Sequence, residues 1–185
     1  PKEDDELYKA MLEAKEEGLV RHIGITTHKI THAHEALDSG LYETLQYPFS
    51  YLSGAEELQL VEKCRQLDVG FIAMKPLAGG AIEDATLALR FLQANEHVTV
   101  VIPGMATVEE AEQNYAAIND ATPLSNEEQR KIQKIRDDLG TQFCRRCNYC
   151  APCSAGISIY SQFLFEGYYN RYDLKEWSSA RYHAQ

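Results

Sequence analysis

The chain is short of cations, with 18 basic residues against 28 acidic ones in 185, and it holds a single tryptophan and three methionines. A net charge of −10 argues against general binding to nucleic-acid backbones, which requires clustered Lys and Arg. Only Arg145 and Arg146 stand out as a basic pair. No apolar run approaches the length that crosses a bilayer, so no membrane span is expected. The N-terminus lacks the basic-then-apolar order of a signal peptide. What is present is 44% hydrophobic and 25% charged, which suits a folded protein with a real core and an appendage. Five cysteines, four of them at metal-ligand spacing, point to the cytoplasm, where thiolates persist and disulfides do not form.

Four of those cysteines, Cys144, Cys147, Cys150 and Cys153, lie in the run FCRRCNYCAPCSAGI, each two residues from the next. Repeated C-x2-C spacing lets one short loop turn several soft thiolates inward around an inorganic core. The first reading is a [4Fe–4S] cluster. Zinc is the alternative, although its closed sites usually set two C-x2-C knuckles well apart. Bacterial ferredoxins run C-x2-C-x2-C-x3-C-P, whereas here the last gap is two residues and Pro152 precedes the cysteine. Cys153 is therefore the ligand that departs most from the pattern. Cys64 is the only remote cysteine able to replace it.

Before this run, helical stretches with apolar spacing near 3.6 alternate with short strand-like runs. DDELYKAMLEAKEEG places Leu7, Met11 and Leu12 on one face and stops at Gly18, and ITHAHEALDSG stops at Gly40. GAEELQLVEKCRQLD, DATLALRFLQANE and TVEEAEQNYAAIN are further helices. Strands begin near Ile23, Thr44, Phe71 and Thr99, which is one βα unit apart each time. Such spacing predicts parallel strands, because strands joined through helices run in one direction. Four units are too few for a closed eight-stranded barrel, and an open four-stranded doubly wound sheet is the alternative.

The ends of these strands decide between them. RHIGITTH, LQYPFSYL, FIAMKPLAGG and VIPGMATVEEAEQN resemble, in order and spacing, strands five to eight of the aldo/keto reductase barrel with their following loops. The cysteine run is similar to the iron–sulfur tail of one bacterial branch of that family. The resemblance implies an α/β fold, the C-terminal half of a (β/α)8 barrel over residues 1–123, and a helical cluster-binding tail over 124–185. It also implies a nicotinamide cofactor, NAD(H) or NADP(H), and a small carbonyl substrate. The family's catalytic tyrosine, lysine, aspartate and histidine lie on the first four strands and their loops, so no catalytic residue is assigned in this chain. Its partner is expected to be the missing N-terminal half, or a second copy.

The resemblance also supplies cofactor positions. Gln46 matches a glutamine that hydrogen-bonds the nicotinamide amide, and Met74 falls where relatives place a ring-stacking side chain. Lys75, Leu77, Gly79 and Gly80 form the loop along the pyrophosphate, where glycines admit close backbone approach. Gly104, Met105 and Ala106 begin the adenosine end, with Gln113 and Asn114 at adenine-contacting positions. Where relatives specific for NADP set a lysine and an arginine against the 2′-phosphate, this chain has Gly104 and Glu110. An acid there suits a free 2′-hydroxyl better than a phosphate, which tilts the expectation toward NADH. The aromatics of the tail, Tyr160, Phe163, Phe165, Tyr168, Tyr169, Tyr172, Trp177 and Tyr182, predict two helices packed near the cysteine loop. The competing reading is a non-catalytic iron–sulfur or zinc module for electron transfer or structure.

Overall fold

The computed structural model describes residues 5–139, 144, 150–170 and 173–184. Four strands, β1 (Gly24–Thr26), β2 (Thr44–Pro48), β3 (Gly70–Met74) and β4 (Val100–Ile102), alternate with five helices. These are α1 (Glu6–Glu16), α2 (Ile30–Ser39), α3 (Ala55–Gln66), α4 (Ala85–Gln93) and α5 (Val108–Asn119). Three more helices follow, α6 (Asn126–Leu139), α7 (Ile159–Asn170) and α8 (Lys175–His183). The strands pair in sequence order and all in parallel, with Thr26 opposite Gln46, Pro48 opposite Met74, and Met74 opposite Ile102. Every C-terminal strand end therefore lies along one edge of the sheet.

The helix boundaries follow local chemistry. Asp5 caps α1 by accepting from the Leu7 amide, Asp84 caps α4 through Leu87, and Thr107 caps α5 through Glu110. Gly40 closes α2 in the left-handed region, φ 66°, which a side chain resists.

The two faces of the sheet differ. Leu45, Tyr47, Phe71 and Ala73 point to one side and are buried with Ala33 and Leu37 of α2, Leu60, Val61 and Cys64 of α3, and Leu92 of α4. Phe49 and Phe71 meet edge to face at 5.6 Å in this cluster. Alternate residues point the other way, and there Val100 and Ile102 remain 45% and 41% exposed. A doubly wound sheet would place core-forming helices on both sides. The described residues form a core on one face of the sheet only, which is how the wall of a barrel is built. The alternative of an open doubly wound sheet is thereby set aside.

The apolar face expected on α1 finds little to pack on. The helix buries no residue and Leu7 is 74% exposed. Polar contacts tether it instead. Tyr8 donates to the Leu41 carbonyl at 2.9 Å, and Lys15 and His22 both reach Glu43, whose carboxyl they hold down at about 2. Farther along, α7 and α8 pack on each other through Trp177, which stands edge-on to Tyr168 and Phe165 at 5.2 and 6.4 Å. The tail thus contains the two expected helices. Among the described residues no helix is long and apolar enough to cross a membrane.

Candidate cofactor site at the strand ends

Parallel pairing brings Gln46 and Met74 together. They sit on the same face of neighbouring strands, and the Gln46 side-chain amide points its Nε2 at the Met74 sulfur, 3.6 Å away. The main chain around them is held by the Thr27 amide, which donates to Gln46 at 3.2 Å, and the Phe49 amide, which donates to Met74 at 3.0 Å. His28 lies beyond the end of β1. Burial, and secondarily the Lys75 charge, lowers its pKa, so the ring is favoured in its neutral form.

The loop after β3 holds most of the unusual backbone. Lys75, Ala78, Gly79 and Gly80 have φ of 53°, 49°, 71° and 95°. The glycines accept this freely, whereas each non-glycine residue there costs on the order of 1–2 kcal/mol. The loop is knitted by its own amides. Ala78 donates to Lys75 at 2.8 Å, and Gly80 and Ile82 both donate to the Leu77 carbonyl. Its underside is apolar, with Ala78, Ala81 and Ile82 buried beside Tyr51, Leu87, Ala88 and Ile132. Burial, then Asp84, pushes the Tyr51 hydroxyl up to about 12, and that hydroxyl has no hydrogen-bond partner among the described residues.

At the next strand end, Glu110 turns back on its own loop. Its carboxylate accepts the Ala106 amide at 2.6 Å, while its amide donates to the Thr107 hydroxyl at 3.2 Å. The Gln113 side chain donates to Thr86 at 3.0 Å, which ties α5 to the start of α4. Met105 and Asn114 line a cavity of about 300 Å³ against Leu89, Val101 and Tyr115. Gly104 has open space where a side chain would stand.

The described residues include three of the four cysteines of the run. Cys147, with Arg145 and Arg146, lies outside the described residues. Cys144, Cys150 and Cys153 are free thiols, and among the described residues no three His, Cys, Asp or Glu side chains are gathered to hold a metal ion. Backbone amides of Ala155 and Ile157, then Gly156, lower the Cys153 pKa, which favours the thiolate a metal needs. Cys64 is different. It is fully buried between α3 and the sheet, and burial pushes its thiol up to about 12. It is core, not a remote fourth ligand.

Helix α6 contributes residues that the motifs did not single out. Ile132 is buried against the β3 loop, Lys131 pairs with Asp84 at 2.5 Å, and the Arg136 guanidinium donates to the Tyr51 carbonyl. Their signal was the spacing of Ile132, Ile135 and Leu139 in SNEEQRKIQKIRDDLG, one apolar stripe on an otherwise charged helix.

Comparison with known proteins agrees with this fold. The aldo/keto reductase family model matches residues 1–87. No curated protein sequence matches the chain. An aldo-keto reductase from Bacillus halodurans in its holo form is similar in structure, with 22% identity over 73% of this chain and 58% of its own, TM-score 0.59. An aldo/keto reductase from Klebsiella pneumoniae in complex with NADP and acetate gives 24% identity over 70% and 53%, TM-score 0.53. The aldose reductase from Schistosoma japonicum gives 21% over 69% and 45%, TM-score 0.51. The chain spans only about half the length of these proteins. The aldo/keto reductase family model thus matches the first 87 residues, and the solved structures share the fold of the chain over about 70% of its length.

Proposed function

We propose that this chain is the cofactor-binding portion of an NAD(P)-dependent aldo/keto reductase that reduces small carbonyl compounds, joined to a cluster-binding tail. The observation that carries the reading is the one-sided sheet, with Gln46, Met74 and the Lys75–Gly80 loop converging where its strands end. Strand ends are where barrel enzymes build their sites. The division falls into a barrel half over residues 1–123 and a tail over 124–185, with α6 of the tail reaching back onto the loop. Lys75, Leu77, Gly79 and Gly80 would lie along the pyrophosphate, and Gly104, Met105, Gln113 and Asn114 at the adenosine end. Hydride transfer belongs to the dinucleotide. These residues bind and orient it.

The proton donor and its partners come from four further strands. A complementary half with four strands and three helices completes the wall better than a second copy does. Two copies would each bring the five helices α1–α5 that alternate with the strands, two more in all than an eight-fold barrel seats.

For the metal, Cys144, Cys147, Cys150 and Cys153 are the ligands in this reading, and the amides around Cys153 suit a thiolate. Anaerobically purified protein is expected to be brown, with a broad visible shoulder that dithionite bleaches. Cys147→Ser should abolish it and Cys64→Ser should leave it, since Cys64 sits in the core. Colourless protein with stoichiometric zinc would overturn the iron assignment and favour the structural alternative.

Glu110 sets the expected cofactor choice. A 2′-phosphate about 4 Å from its carboxylate would meet roughly 1–4 kcal/mol of repulsion, so NADH should be preferred in the completed enzyme. Glu110→Arg should lower the KM for NADPH with little change in kcat, because the adenosine end is remote from the hydride. If unmodified enzyme prefers NADPH and the variant changes neither constant, the bond to Ala106 is the whole role of Glu110.

A further inference from the structure

We infer that α6 is a strap that holds the β3 loop in its dinucleotide-binding shape, with Ile132 and Arg136 as positioning residues. The inference rests on the functional reading above for its ligand, and on geometry alone for the strap. Two non-glycine residues of the loop, Lys75 and Ala78, stand in the left-handed region, and such a conformation persists only where surrounding contacts over-determine it. The loop's own three amide bonds close its turns but do not anchor it to the rest of the fold. Anchoring comes from the residues packed beneath it, Tyr51, Leu87 and Ala88 with Ile132 of α6, and α6 is the one of these elements that also grips the neighbouring loop. Ile132, 4% exposed, fills the space beneath Ala78, Ala81 and Ile82. Arg136 donates to the Tyr51 carbonyl in the neighbouring β2 loop and lies 5.6 Å from the Phe91 ring. One helix therefore grips two adjacent strand-end loops.

The grip is reinforced at its other end. Lys131 pairs with Asp84, the residue that caps α4 where the loop finishes. Glu128 pairs with Arg90 of α4, whose side chain is 12% exposed and also donates to the Thr122 carbonyl at 3.1 Å. Four residues spread along α6 thus reach the β3 loop, the β2 loop beside it and the helix α4 that follows. Releasing them leaves the loop to relax out of its left-handed turns, and the loop would then have to be reordered at each binding event.

Hydrogen exchange on the chain itself tests the strap without any ligand. In Arg136→Gln and in Ile132→Ala, the amides of Ala78, Gly80 and Ile82 should exchange at least about tenfold faster, while those of Leu45 and Tyr47 in β2 stay as they are. Ile132→Val, which keeps most of the volume, should restore slow exchange. Exchange that rises equally in the loop and in β2 would mean general destabilisation, and unchanged loop exchange would mean no strap. Either result overturns the inference. In the completed barrel, Arg136→Gln should raise the dinucleotide Kd and KM roughly tenfold with kcat nearly unchanged, a split that lost stability does not produce. If the unmodified completed protein binds neither NADH nor NADPH, the functional reading fails, and the exchange measurement still decides the strap.

Discussion

Replacing Phe71 by Ala is expected to lower the unfolding free energy by about 3–5 kcal/mol. Phe71 is fully buried near the start of β3, stacked edge-on against Phe49 and enclosed by α3 and by Leu45 of the next strand. Removing the ring takes away apolar contact on all sides and leaves a cavity that a parallel sheet, pinned by hydrogen bonds on both edges of β3, cannot collapse to fill. Urea denaturation should show an earlier midpoint at constant slope. Val100→Ala makes the contrast. Val100 faces the uncovered side, so in this chain its truncation should stay within about 0.5 kcal/mol. In a barrel completed by its other strands, the same change should cost several times more, because the side chain would then lie in a packed interior. Equal cost in both contexts would show that the open face is not a barrel lining.

The second large effect is on turnover. This chain alone should reduce no aldehyde or ketone with NADH or NADPH above background. In the proposed assignment the donor of the proton lies on strands it does not contain, and general acid catalysis alone contributes about 10²–10⁴-fold. His28 does not replace that group, since burial and Lys75 favour its neutral ring. Tyr51 does not either, since its hydroxyl is buried and pushed up to about 12. Supplying the complementary four strands, fused or coexpressed, should restore reduction with the dinucleotide as hydride source. Activity that follows the isolated chain through purification would place a catalytic group among the residues assigned here to binding.

Much of this architecture was legible in the sequence because it is local. Helix periodicity and the Gly40 stop act within a few residues, and the one-unit spacing of the strands made parallel pairing nearly obligatory. The order of the strand-end motifs likewise pointed to one set of strand ends, and pairing then brought Gln46 to Met74.

The rest depends on residues far apart in the chain. Which face of the sheet the helices cover is set by packing of Leu45 and Phe71 against α2, α3 and α4, and no single segment encodes it. Cys64 could be weighed as a metal ligand until the fold enclosed it in the core. That the Glu110 carboxylate accepts the Ala106 amide is seen only in the turn before α5. Arg136 reaches Tyr51 across 85 residues of sequence. The left-handed backbone at Lys75 and Ala78 defies local preference, so the sequence by itself determined where the loop would be, and the contacts beneath it decided the shape that loop could hold.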